Sequence, residues 1–102
     1  MTDPYNTAFR ATVTPSALTP REIAANVAAL GYPDGWTAAD DVALMEGLFR
    51  GLSLAAIANS IDQRDGNVEA RWRALKRAAG VEHGAVPLDA QTALLAAVRA
   101  AA

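Results

Sequence analysis

The chain has 102 residues and a net charge of −2; 52% of its residues are hydrophobic, 6% are aromatic, 20% are charged, and none is cysteine. The length fits one compact domain, and the alanine-rich, aromatic-poor composition favours an all-α fold. The lack of cysteine excludes disulfide frameworks, thiolate metal sites and cysteine nucleophiles. It also fits a reducing compartment, so we expect a cytoplasmic protein. Because no stretch approaches the roughly 18 apolar residues of a membrane span, we expect no membrane partner.

The first 35 residues are predicted to contain a flexible arm and one helix. Residues 1–18 include prolines and lack helical periodicity, so they are predicted to form the arm. Residues 19–35 are predicted to form a helix and a turn. The helix start carries a cap, a proline at the first position and a capping-box acid: Thr19, Pro20 and Glu22. The apolar face of this helix is predicted from the spacing of Ile23, Val27 and Leu30.

Residues 36–80 are predicted to form a unit of three helices. These helices span 37–50, 54–61 and 65–79, and each begins with a capping residue: Thr37, Ser53 and Asp65. The first helix is predicted to bury a stripe made of Ala38, Val42, Met45, Phe49 and Leu52. The turn between the first two helices is only a few residues long, which is what a helix-turn-helix requires.

The third predicted helix has two chemically different sides. One side is a predicted buried seam made of Val68, Trp72, Leu75 and Ala79. The opposite side carries Ala70, Arg73, Ala74 and Arg77. Between Arg64 and Arg77 there are five basic and two acidic residues, a local charge of +3, whereas the rest of the chain has four basic and nine acidic residues. This asymmetry would orient the domain towards a polyanion.

The C-terminal segment, residues 81–102, is predicted to be a linker followed by a helix that starts at Leu88 or Asp89. Its apolar residues are Leu94, Leu95 and Val98, with alanine supplying the rest. The two flanking helices each carry a narrow apolar stripe. They could therefore complete the core of the three-helix unit, or they could form a homodimer surface.

The outward side of the third helix is suited to the major groove of duplex DNA, which is wide enough to admit a helix. We expect Arg73 and Arg77 to face base edges or deep phosphates, and Ala70 and Ala74 to let the backbone approach closely. The predicted phosphate contacts lie at the margins of the helix and near its start: Arg64, Asn67, Arg71 and Lys76.

Residues 36–80 resemble a Myb/SANT-type repeat. The matching motifs are "W-T-x-x-D-D", "G-L-S-x-x-x-I-A-x-x-I" and "V-x-x-R-W-x-x-L", one for each helix. The spacing is also similar to that of the N-terminal domain of GcrA-type bacterial cell-cycle regulators. The resemblance implies a three-helix domain whose third helix enters the major groove. In transcriptional regulators it also implies a partner such as RNA polymerase or its sigma factor.

Other functions remain open at this stage. SANT-type relatives bind proteins with the same three helices, so the main alternative is an adaptor that docks a component of transcription or of a phage particle. A purely structural dimerising domain is a weaker alternative. We expect no enzymatic activity, cofactor or metal. His83 stands alone in the linker, and Asp40 and Asp41 are explained by capping and by the positive end of the helix dipole.

Overall fold

The structure is a computed structural model that describes residues 18–102. This range contains five helices. In chain order they are α1 (Pro20–Leu30), α2 (Ala38–Phe49), α3 (Leu54–Ser60), α4 (Asp65–Ala78) and α5 (Leu88–Ala101). No strand occurs in this range, which confirms the all-α prediction. None of these helices is long and apolar enough to span a membrane. The predicted arm lies outside the described residues, except for Leu18.

The helix starts follow from local sequence. Thr19 and Glu22 close a capping box at α1, and Thr37 and Asp40 close another at α2. The hydroxyl of Ser53 accepts a hydrogen bond from the backbone N–H of Ala56 and caps α3. These three predicted caps are confirmed, and each satisfies backbone donors that a helix start leaves free.

The fourth predicted cap is displaced by one residue. Asp65 is the first residue of α4 instead of its cap, and Arg64 stands at the cap position without a side-chain hydrogen bond. Asp65 therefore acts on α4 through its charge, since an acid in the first turn lies at the positive end of the helix dipole.

The two flanking helices complete the core of the chain. α5 packs against both α1 and α2, and α1 also packs against α4. The buried side of α5 consists of Ala90, Ala93, Leu94, Ala97 and Val98. In α1, Ile23 and Val27 are buried as predicted, whereas Leu30 is 38% exposed. Of the two roles that the sequence left open for these helices, the structure supports the first.

The buried face of α2 differs from the predicted stripe. Met45 is buried as expected, but Phe49 and Leu52 are 39% and 40% exposed. The side that enters the core is centred on Asp41, Leu44 and Met45. At about 100° per residue, this face is rotated by roughly 60° from the predicted one. The rotation follows from α5, which packs on α2 and which a search for local periodicity does not take into account.

α2 and α3 approach each other closely at Gly47. A Cβ atom at this buried glycine would lie 2.7 Å from Cγ1 and 2.8 Å from Cδ1 of Ile57. Only the hydrogen atom of glycine fits this space without a shift of the Ile57 side chain. The close approach fixes the angle between the two helices at their short turn, where Gly51 adopts a left-handed conformation with φ of 79°.

Replacing Gly47 by alanine is expected to lower the free energy of unfolding by about 1 to 2 kcal/mol. Overpacking costs about 1 to 3 kcal/mol, which exceeds the gain of up to about 1 kcal/mol in helix propensity. Gly66→Ala is the matched control, because a Cβ atom there meets nothing within 4 Å. That control substitution should raise the free energy of unfolding by about 0.4 to 1 kcal/mol. Urea unfolding measures both, and a Gly47→Ala variant as stable as the control would contradict the close packing.

Candidate nucleic-acid interface

The buried side of α4 is broader than the predicted seam. Val68, Leu75 and Ala79 are buried as predicted, and Trp72 is partly buried against the core. Ala78 and Arg71 are buried as well. The helix is therefore turned towards α1, where the side-chain amide of Asn26 donates a 2.9 Å hydrogen bond to the carbonyl of Ala78. Contact with α1 accounts for the burial of Ala78, whereas Arg71 is buried against Asp41 of α2.

Arg71 does not lie at a solvent-facing margin, as the sequence interpretation expected. Its guanidinium donates two hydrogen bonds of 2.7 Å to Asp41, from Nε to Oδ1 and from Nη2 to Oδ2. The indole Nε1 of Trp36 donates a third, also 2.7 Å long, to Oδ1 of the same carboxylate. The Tyr32 ring lies on the guanidinium, with its centroid 5.4 Å from Cζ. Both charged side chains are almost fully buried, at 5% and 3% exposure.

This arrangement assigns Arg71 a structural role. Its charge is used inside the protein to join α4 to the start of α2, so the predicted phosphate contact by Arg71 is wrong. The physical reason is that a buried charge needs a hydrogen-bonded partner, and Asp41 supplies both acceptor oxygens. Asp41 was interpreted only as a residue that complements the helix dipole, and its pairing was missed.

The side of α4 that faces away from the core carries the other predicted residues. Ala70, Arg73 and Arg77 are exposed, and Ala74 is half-buried. At about 100° per residue these four positions fall within an arc of roughly 100°. Lys76 is half-buried at one margin of this arc, and Asn67 and Arg64 are exposed near the helix start. We call Arg64, Arg73, Lys76 and Arg77 the cationic ridge.

The side chains of the cationic ridge form no ion pair within the described residues. Residues 18–102 contain two ion pairs, Arg71 with Asp41 and Arg99 with Glu46, and neither involves the ridge. The amide of Asn67 makes one long contact of 3.4 Å with Oε1 of Gln63. These side chains can therefore bind an external anion without first breaking an ion pair.

The linker after α4 lies beside the cationic ridge. Glu82 and His83 line a groove together with Arg73, Lys76 and Arg77. The cause is the way α4 ends: the N–H of Gly80 donates to the carbonyl of Arg77, and the N–H of Val81 donates to that of Lys76. This pair of bonds is a Schellman motif, which turns the chain back over the last helical turn.

The sequence interpretation missed this groove, although Gly80 directly follows the predicted helix 65–79. A glycine that ends a helix in a left-handed conformation predicts the Schellman turn, and the turn brings the following residues back to the helix. Glu82 places a negative charge and His83 an imidazole next to the ridge. Comparison of the chain with protein-family models, curated proteins and solved structures found no match.

Among residues 18–102, Arg64, Arg73 and Arg77 of the ridge are exposed. α5 packs on α1 and α2, so the C-terminal helix lies against a different part of the molecule. Among residues 18–102, no three histidine or acidic side chains come together in a way that could hold a metal ion. The site is therefore a cationic helix surface, partly lined by alanine, that can contact an extended anion.

Proposed function

We propose that residues 36–80 form a Myb/SANT-like helix-turn-helix that binds duplex DNA by inserting α4 into the major groove. The observation that carries this proposal is the cationic ridge, whose four side chains lack ion-pair partners within the described residues. Exposed Ala70 and half-buried Ala74 lie beside it and leave room for close approach to the groove. Release of counterions from DNA phosphates would provide most of the affinity.

The individual roles follow from position on α4. Arg73 and Arg77 lie on the outermost part of the helix and would contact base edges or deep phosphates. Arg64, Asn67 and Lys76 lie near the margins or the helix start and would contact the DNA backbone. Arg71 would act indirectly, because its pair with Asp41 sets the rotation of α4 and hence the direction of the ridge.

The proposed biological role is that of a transcriptional regulator. A single small domain with four cationic contacts would bind weakly, so an auxiliary protein such as RNA polymerase or a sigma factor, or a homodimer, would be needed to raise the affinity. The acidic remainder of the chain has a charge suited to a basic surface on such a partner.

Titration of unrelated labelled duplexes at increasing salt tests the proposal. Each phosphate contact contributes a slope of about −0.9 in the plot of log K against log salt, so contacts from two to four ridge side chains predict a slope between about −2 and −4. Absence of binding at every salt concentration would refute the DNA-binding proposal.

Substitution of the ridge gives the sharper test. Arg73→Ala and Arg77→Ala are each expected to cost about 1 to 3 kcal/mol of DNA binding and to leave the unfolding curve unchanged. Arg21→Ala is the matched control, since it removes the same charge from an exposed position of α1 that faces away from Ile23 and Val27. Fluorescence anisotropy measures all three. If the two ridge variants bind like the control, α4 does not present this face to DNA.

An adaptor function is the second candidate, and the exposed apolar side chains around the α2–α3 turn favour it. Phe49 and Leu52 are 39% and 40% exposed and lie on either side of Arg50, so a protein surface could cover them. The adaptor proposal predicts no DNA binding at any salt concentration. The two candidates are therefore separated by the same titration.

A further inference from the structure

A pocket of about 200 Å³ lies between the loop that precedes α2 and the first half of α4. Its carbon surface comes from Pro33, Trp36, Ala70 and Ala74, and its polar groups include Arg71 at the base. Neither the buried ion pair nor the cationic ridge explains this cavity. It is large enough for one aromatic ring with substituents, since a closed cavity of about 150 Å³ holds benzene.

Arg71 leaves one hydrogen-bonding edge unused. Its Nε and Nη2 bond to Asp41, whereas Nη1 makes no hydrogen bond within residues 18–102. No fully buried side-chain nitrogen in this range lacks a partner, so Nη1 must remain in contact with solvent. Arg71 as a whole is 5% exposed and lines the pocket, so we place the solvent-accessible part of Nη1 at the pocket.

The carboxylates near this nitrogen outnumber the single guanidinium charge. Asp41 neutralises the guanidinium through two bonds, and Asp34 contributes a further carboxylate to the pocket lining. An anion bound here would gain little from Arg71 and would be repelled by both carboxylates. An uncharged acceptor, such as an amide or ring carbonyl, can accept from Nη1 without that penalty.

We propose that this pocket binds a small planar aromatic molecule that carries an uncharged hydrogen-bond acceptor, with the acceptor on Nη1 of Arg71. The ring contacts Trp36, Ala70 and Ala74, and the fixed position of the guanidinium makes the donor preorganised. This inference does not depend on DNA binding, although the pocket borders the proposed DNA-contacting face through Asn67, Ala70 and Ala74.

Titration of the isotope-labelled full chain with benzamide, benzoate and benzene, followed by NMR, tests the inference. Benzamide should bind with a dissociation constant on the order of 1 mM, as expected for a small fragment, and should shift the Trp36 indole N–H and the Arg71 Nε–H. Benzoate and benzene should each bind at least about fivefold more weakly, because one adds charge repulsion and the other lacks the acceptor. Binding of benzoate as tight as benzamide, or shifts confined to other residues, would refute the proposal.

Filling the pocket provides the mutational test. Ala74→Leu should abolish saturable benzamide shifts. If this variant does not fold, Ala70→Leu, at an exposed position of the pocket lining, provides the same test. Ala96→Leu on the exposed side of α5 is the matched control and should leave benzamide binding unchanged. Retained affinity in a folded pocket variant would overturn the assignment. A chain that binds benzamide but no duplex would refute only the proposed function, and the reverse result would refute only this inference.

Discussion

Asp41→Asn is expected to lower the free energy of unfolding by about 3 to 5 kcal/mol, the cost of removing one partner of a buried ion pair. Asparagine keeps the size of the side chain but leaves the guanidinium of Arg71 buried without a counter-charge. It also replaces one acceptor oxygen by a nitrogen. A nitrogen in place of Oδ1 leaves both the Trp36 indole and Nε of Arg71 without an acceptor, and a nitrogen in place of Oδ2 leaves Nη2 of Arg71 without one. A domain of this size has a total stability of about 5 to 15 kcal/mol, so the loss would be easily measured by urea or thermal unfolding.

Glu46→Gln is the matched control, because it makes the same acid-to-amide change in the other ion pair of the described chain. That pair joins α2 to Arg99 of α5 at 3.2 Å, and its side chains are 56% and 44% exposed. An exposed pair contributes about 0 to 1 kcal/mol, so the control should be nearly neutral. Equal effects of the two substitutions would mean that water reaches the Asp41 carboxylate.

A double variant separates the ion pair from the space it fills. Asp41→Leu combined with Arg71→Met should recover much of the stability lost in Asp41→Asn, since apolar replacement of a buried pair is often neutral. The recovery should be incomplete by about 1 to 3 kcal/mol, because the indole N–H of Trp36 loses its acceptor.

Most features set by neighbours in the sequence were predicted correctly, apart from the cap of α4 and the turn that follows this helix. The capping boxes at Thr19 and Thr37 depend on residues three positions apart, so the sequence contains all the information they need. The same holds for the outward position of Ala70, Arg73 and Arg77, which follows from the helical period once Val68 and Leu75 are known to be buried. Local chemistry therefore predicted the helices and most of the candidate interface.

Features set by distant partners were predicted incorrectly. Asp41 and Arg71 are separated by 30 residues, and each has a plausible local role, as a helix-dipole acid and as a phosphate contact. Only the packing of α4 near the start of α2 distinguishes a buried pair from two surface charges. The rotation of α2 is a similar case, because its cause is α5 at the other end of the chain.

Leu94→Ala is expected to destabilise the protein by about 2 to 5 kcal/mol, as for other buried leucines. Leu94 is fully buried in α5, where it belongs to the same core as Ile23 of α1 and Leu44 of α2. Leu88→Ala is the matched control in the same helix, because Leu88 is 71% exposed and its truncation should change stability by no more than about 0.5 kcal/mol. Chemical denaturation of both variants gives the comparison.

The stability of Leu94→Ala also indicates whether the three-helix unit can fold without α5. If Leu94→Ala has the larger effect, α5 is part of the structure that holds α2 in place, and through Asp41 it also supports the orientation of α4. A fragment limited to residues 36–80 would then lose Leu94 and Ile23 from the core, and failure of that fragment to bind DNA would report unfolding and not the absence of an interface. If both leucine variants are equally stable, α5 is separable from the core. The rotation of α2 would then need a cause other than packing against α5.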